Sequence, residues 1–273
     1  MIPQTWRLAV LLVLLIASAG FFASSTFRWS EERADAEETI YQVSTLGALL
    51  DGVYQDAATI GDLLSHGDIG LGTPGALDGE IVVLDGEAWQ VRGDGVVRRM
   101  DAAETTAFAA VTPFEQDITF DLPGRTDRSA LEEAILAALP SANYPCAVKV
   151  TGTFLTVETR SVDRQSPPYP PLAEVTKDQH LFHFSGVKGT LVGFYLPAYM
   201  EGVNVPGFHL HFITDDHSGG GHLLDCTVQD ARVMLDLTPS VRIVLPENEG
   251  FASAPLTTGR SDEVARVEGA PSG

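Results

Sequence analysis

The sequence predicts an α+β fold dominated by mixed or antiparallel β-sheet, with few helices and a metal site carried on a β-hairpin. Three observations lead there. The second half of the chain is a succession of β-branched or alternating apolar segments, and helical periodicity is confined to short stretches. Two histidine-bearing segments also face each other across a glycine-rich turn.

The N-terminal stretch stands apart from that fold. Leu8–Phe22 (LAVLLVLLIASAGFF) is an apolar run of 15 residues behind a single basic residue, Arg7. A membrane-spanning helix needs about 20 such residues, so the run fits the core of an export signal. Small residues follow at Ala17-Ser18-Ala19 and Ala23-Ser24-Ser25. Residues 1–25 therefore read as a signal peptide, with an uncleaved N-terminal anchor as the alternative. Residues 26–38 read as a polar spacer. The folded domain is expected at 39–273, in a protein that is secreted or otherwise extracytoplasmic, held at the membrane only if the segment is an anchor.

Between Thr39 and Leu64, the residues Leu46, Leu49, Leu50 and Val53 recur at helical spacing, with Ser44 or Thr45 as N-cap. The glycine-rich stretch 67–80 (GDIGLGTPGALDGE) leads into Ile81-Val82-Val83-Leu84, an apolar strand ended by the turn Asp85-Gly86. Ala88–Arg92 completes a hairpin, and Gly93-Asp94-Gly95 turns again toward Val96-Val97. Ser129–Leu139 is an amphipathic helix, capped by Asp127, Arg128 or Ser129 and stopped by Pro140. Cys146–Thr159 reads as a strand. The loop 165–171 (QSPPYPP) is barred from a sheet interior, which makes 163–172 the best internal boundary. Gly186–Leu196, Phe208–Thr214, His222–Gln229 and Arg232–Leu237 are further strands.

Composition narrows the partners. The 273 residues include 37 acidic and 17 basic side chains, a formal charge of −20. Such a surface repels phosphate backbones, so no nucleic-acid partner is expected. An anionic small molecule must then be held by local positive charge. Cys146 and Cys226 are too few for a disulfide framework; they read either as buried small apolar residues or as one bridge, and carry no assigned chemistry.

The chemistry surfaces at Phe208-His209-Leu210-His211-Phe212. Side chains two apart on a strand share a face, so His209 and His211 point together while Leu210 and Phe212 point into packing. The turn 214–221 (TDDHSGGG) then returns His222 beside them. Three neutral imidazoles with a position left open match the ligand set of a catalytic zinc site. Cupin-type iron and manganese sites use a similar pattern, so spacing alone leaves the metal open. His217 falls in the turn and is expected to be exposed; His66, His180 and His183 read as structural.

Dispersed motifs extend this picture. Tyr41-Gln42-Val43-Ser44-Thr45, Leu50-Asp51-Gly52-Val53-Tyr54, GDIGLGT (67–73), Leu77-Asp78-Gly79-Glu80, Thr159-Arg160-Ser161-Val162, VKGTLVGFYLPAY (187–199) and VPGFHLHFITDD…GGH (205–222) occur in order. Through them the chain resembles the α-acetolactate decarboxylases from Tyr41 to about Glu268. The resemblance implies a zinc lyase of acetoin biosynthesis, usually a homodimer, that converts the small molecule 2-acetolactate to (R)-acetoin and carbon dioxide. It assigns His209, His211 and His222 as metal ligands, Glu80 as a glutamate at the metal, and Arg160 as the active-site arginine. A second glutamate comes from the tail, with Glu268 the best match and Glu263 its competitor. His217, the third glycine of the turn and Cys146 depart from the family pattern without touching the ligands.

Without the resemblance, Arg160 would read as a surface partner of Glu158 or Asp163, and Glu80 as a turn residue. The polar tail 257–273 would read as disordered, whereas the resemblance has it fold back over the metal. The competing functional reading is a secreted cupin-like metal-binding module or a metal-dependent oxygenase. Such a hairpin needs neither Glu80, Arg160 nor a tail glutamate, so their joint presence separates the two.

Overall fold

A computed structural model describes residues 38–257 and 259–269; the expected signal segment and nearly all of the spacer lie outside them. The chain begins with β1 (Thr39–Val43), β2 (Ala58–Thr59), β3 (Ile69–Pro74), β4 (Glu80–Leu84), β5 (Glu87–Val91), β6 (Val97–Arg99) and β7 (Thr105–Thr112). Then come β8 (Ile118–Asp127), β9 (Cys146–Ser161), β10 (His180–Leu196), β11 (Gly207–Thr214) and β12 (Gly220–Leu237), and finally β13 (Ser240–Val244). β1–β7 and β13 form one sheet in the order β13-β1-β7-β3-β4-β5-β6, with β2 paired to β7. β13 runs parallel to β1, Thr39 opposite Ser240, while the other pairs are antiparallel.

The second sheet is antiparallel, in the order β11-β10-β9-β12-β8. β11 also pairs with β12, so β9, β10, β11 and β12 close into a ring of four strands. The sheets pack face to face. Ile40, Leu71 and Ala110 of the first meet Ala147, Phe194 and Leu196 of the second, and Ile69, Val82 and Val91 meet Val192 and Ile213.

Besides three single 3-10 turns, six short α-helices flank this pair of sheets among the described residues: α1 (Leu46–Leu50), α2 (Ile60–Leu64), α3 (Arg128–Ala138), α4 (Leu172–Val175), α5 (Glu249–Ser253) and α6 (Ser261–Glu268). Asp127 caps α3 by accepting the N–H of Ala130 at 2.9 Å. Leu131 and Ile135, one turn apart, bury the helix against the outer face of the second sheet. Cys146 and Cys226 lie buried and unbridged in that same layer. No helix of the described residues is long and apolar enough to cross a membrane.

The helix expected within 39–64 starts at its Thr45 cap and is short, Leu46–Leu50, with Val53 beyond its end. Thr39, Ile40 and Val43 are β-branched and pair on both sides as β1, and helix begins only where the Thr45 hydroxyl accepts the N–H of Ala48 at 3.2 Å. It stops after Leu50, because Gly52 turns the chain at a φ of 81°. The two strands expected across 222–237 are one. Asp230, at a φ of 53°, is absorbed as a bulge between Gln229 and Ala231, and β12 continues past it. Residues 163–171 run as a loop from β9 to α4, and Val162 and Leu172 on either side of it join one apolar cluster.

Candidate metal centre

The histidine hairpin forms as the alternation requires. His211 of β11 sits opposite His222 of β12, and His222 is in turn opposite Arg160 of β9. Leu210 and Phe212 point away into the core beneath α3. Thr214 fixes the turn: its hydroxyl donates to Asp216 and accepts the N–H groups of Ser218 and Gly219. Gly221 lets β12 close on β9, because a Cβ there would stand 2.5 Å from the Arg160 carbonyl, at a φ of 128°.

The three imidazoles lie with ring centroids 5.1–5.3 Å apart, and each offers a ligand atom within 4.8 Å of the others. Two carboxylates complete the cluster. Glu80 opens β4, in the first sheet, and its Oε2 is 3.7 Å from His211 Nε2. Glu268 closes α6, and its Oε2 is 3.5 Å from His222 Nε2 and 3.7 Å from His209 Nε2. Arg160 lies between the acids, 3.9 Å from Glu80 and 3.6 Å from Glu268. It does not pair with Glu158 or Asp163; those two face His183 and His180 instead. Glu263, the competitor in the tail, is engaged by Arg260 at 2.7 and 2.9 Å.

Local structure aims each of these groups. Leu77 and Gly79 take φ values of 53° and 95°, turning the chain sharply before Glu80. The turn is pinned from two sides: the Thr73 hydroxyl donates to the Gly79 carbonyl at 2.8 Å, and the Gln90 amide donates to the Asp78 carbonyl at 2.5 Å. Arg160 is flanked by two anchored hydroxyls, Thr159 donating to Gly220 at 2.7 Å and Ser161 to Val91 at 2.8 Å. Glu268 depends on α6, which the polar composition of the tail argued against. Val264 and Val267, three residues apart, are enough to bury one side of it in the cluster that holds Leu172 and Val175.

The electrostatics follow from burial. Desolvation, helped by the positive charge of Arg160, holds His209 down to about 3. Burial likewise pushes His211 and His222 well below the ordinary histidine value, so all three imidazoles are neutral and able to donate a lone pair. Desolvation raises Glu80 to about 8 against the pull of Arg160, and raises Glu268 in the same way. A dication placed among them acts in the opposite direction and holds carboxylates ionised.

The donor set fits such an ion. His211 Nδ1 donates to the Ile81 carbonyl at 2.8 Å, which leaves Nε2 as a bare acceptor facing the cluster. Neither that Nε2 nor Glu268 Oε2 has a hydrogen-bond partner, although buried polar atoms nearly always do. His209 Nδ1 and Arg160 Nε are also unpartnered. The cavity is otherwise walled by apolar side chains that the sequence did not mark as part of a site: Leu49, Leu77, Phe108, Val162 and Leu172, with Thr73 beside them. In sequence these look like any core residue. His66 stacks on Tyr41, and His217 lies tilted against Trp89, half-buried rather than exposed, each at 3.8 Å and away from the cluster.

Comparison with known proteins identifies the family of the chain. A model of the alpha-acetolactate decarboxylase family matches residues 40–258, which include Glu80, Arg160 and the three histidines but stop short of Glu268. The chain is 44% identical over 234 residues to an alpha-acetolactate decarboxylase of Methanosarcina mazei, covering 86% of this chain and 81% of that protein. It is 43% identical to the one from Raoultella terrigena, over 85% of this chain and 89% of the other. The crystal structure of the Bacillus subtilis alpha-acetolactate decarboxylase superposes with a TM-score of 0.83 at 36% identity, covering 85% of this chain and all of that one. By sequence and by fold, this chain belongs to the alpha-acetolactate decarboxylase family.

Proposed function

We propose that the chain decarboxylates 2-acetolactate to (R)-acetoin and carbon dioxide at a zinc ion held by His209, His211 and His222, with Glu80 and Glu268 beside it. One observation carries the reading: three neutral imidazoles, two carboxyl groups and one guanidinium converge in a single buried cavity. The relatives named for this activity support it. Three nitrogen ligands with a place left open suit catalytic zinc. A cupin-like module or an oxygenase would need the histidines alone, so the presence of Glu80, Arg160 and Glu268 favours the lyase.

When bound, zinc supplies Lewis acidity toward the substrate's carbonyl and hydroxyl oxygens, where negative charge collects as carbon dioxide departs. The side chains do the rest. Arg160 presents a planar fork of donors that can grip the carboxylate about to leave, in a chain whose overall charge would otherwise repel it. The apolar wall from Leu49 to Leu172 excludes water and strengthens every charge interaction inside. Glu80, beside His211, and Glu268, beside His209 and His222, are the carboxyl groups of the cavity, and either, ionised beside the ion, can take up a proton and pass it to the carbon that carbon dioxide leaves. Delivery from one fixed side yields one enantiomer. The same reading takes the protein as exported, from its N-terminal apolar run, and as a homodimer, from the family resemblance.

Purified protein is expected to carry about one zinc per chain and to form acetoin from racemic acetolactate. His209→Ala and His211→Ala should lose metal and turnover together, and a chelator should abolish turnover in the parent. Stoichiometric metal in the double variant, or undiminished acetoin after complete chelation, refutes the site.

A further inference from the structure

Glu268 reaches the histidines from the end of α6, a helix of eight residues. A helix that short has little stability of its own, so contacts with the rest of the protein must fix where it lies. Val264 and Val267 supply an apolar contact along its length. Such contact is non-directional and does little to prevent a helix from sliding.

At the Glu268 end the directional contacts are with the site itself, His222 Nε2 meeting the Glu268 carbonyl at 3.2 Å and Arg160 the carboxylate at 3.6 Å; those that tie the helix to the rest of the protein gather at the opposite end. Arg260 Nη1 meets Asp51 Oδ1 at 2.6 Å, while its Nε and Nη2 form a fork onto Glu263 at 2.7 and 2.9 Å. The other oxygen of Asp51 accepts the N–H of Leu256 at 3.2 Å, and the Ser261 hydroxyl donates to Glu201 at 2.6 Å. The three charged side chains are 17%, 12% and 20% exposed for Arg260, Asp51 and Glu263, so water screens them far less than an ordinary surface pair. Asp51 also ends α1, and Leu49 of that helix lines the cavity. Glu268 lies eight helical steps beyond Arg260, about 12 Å, so the cluster works at a distance from the histidines.

We propose that Asp51 and Arg260 are positioning residues, with Glu263 holding the guanidinium from within the helix, an ionic latch that fastens α6 so that Glu268 stands at the histidine cluster. The inference rests on the functional reading above, in which Glu268 serves the reaction. Unlatched, α6 keeps its valine contact but samples positions that withdraw the carboxylate, and turnover falls with the fraction of molecules so displaced.

The test uses the full-length, metal-loaded protein. Amide hydrogen exchange across 264–268 reads the latch itself, and acetoin formation reads its consequence. Arg260→Ala and Asp51→Asn should each speed exchange in α6 while β9 and β12 stay protected. Each should lower kcat roughly tenfold or more with KM little changed, as expected for loss of a charge-assisted bond. Arg260→Lys keeps the pair with Asp51 but loses the fork onto Glu263, and should recover part of both effects. Adding Arg260→Ala to Glu268→Gln should cost little more than Glu268→Gln alone, because the first acts through the second. Unchanged exchange in α6 overturns the latch. Faster exchange with parental turnover also overturns it, provided Glu268→Gln is impaired. If Glu268→Gln is itself fully active, the functional reading fails, and the positioning role falls with it.

Discussion

Asp236 offers a test of the electrostatic reasoning far from the histidines. It lies on β12 opposite Ala147 of β9, with none of its surface exposed. Its Oδ2 accepts the N–H of Glu115 at 3.1 Å, whereas Oδ1 has no partner. Burial is the chief cause that lifts this carboxyl from 3.8 to about 7; the bond from Glu115 opposes it, and the charges of Asp117, Glu38 and Glu115 add to the rise. The folded state thus binds this proton more tightly than the unfolded chain does. Its contribution to stability is complete below about pH 4 and is lost as pH rises through about 7. At about 1.36 kcal/mol per pH unit, the span amounts to about 4 kcal/mol. That is a large share of the roughly 5–15 kcal/mol that holds a typical protein folded. Asp236→Asn removes the titration and keeps the shape. Urea unfolding of parent and variant between about pH 4 and pH 8 reads the effect, because groups common to both cancel in the difference. The parent should lose ground to the variant steadily across that window. A difference that stays flat with pH refutes the argument.

Three further outcomes are expected. Arg160→Lys keeps the charge but not the fork, so it should retain metal by elemental analysis while acetoin formation drops at least a hundredfold, by roughly 3 kcal/mol in barrier; parental turnover would leave Arg160 a structural role only. Gly79→Ala places a Cβ 2.2 Å from the Val91 carbonyl at a φ of 95°, so it should lower unfolding free energy by about 1–3 kcal/mol and activity by more than that loss explains. Chelation should lower Tm by roughly 5 °C or more, since an ion bound only by the folded state stabilises it; an unmoved Tm would place the metal elsewhere.

The histidine hairpin was legible in the sequence because its geometry is local. Alternation along β11 fixes the shared face of His209 and His211, and a turn of few residues returns His222. Glu80, Arg160 and Glu268 arrive from three distant elements, and no local pattern ties them together; only their place in dispersed family motifs brought them to notice. The cavity wall was not legible for a simpler reason: Leu49, Phe108 and Leu172 are core residues by every chemical measure, and only the fold brings them beside the histidines. Missed strands have equally plain causes. β7 is rich in alanine and buried almost throughout, so it shows no alternation. β8 contains Pro123 and Gly124, which read as a turn, yet β8 lies at the edge of its sheet and Pro123 is exposed there, where a missing N–H is tolerated.

The parallel pairing of β1 with β13 carries a consequence for how the chain must be made. It joins Thr39 to Ser240, closing a loop of about 200 residues. Loop-closure entropy grows slowly with length, so the thermodynamic penalty is modest, but contacts this distant form late. Until β13 arrives, one side of β1 is an unpaired edge of backbone donors and acceptors, open to any other copy of the chain. A molecule interrupted before Ser240 would hold the whole histidine hairpin and still present β1 as its edge, in place of the short, largely exposed β13 with its Arg242 that forms the finished edge. Solubility, as much as chemistry, then depends on the late-made end of the fold.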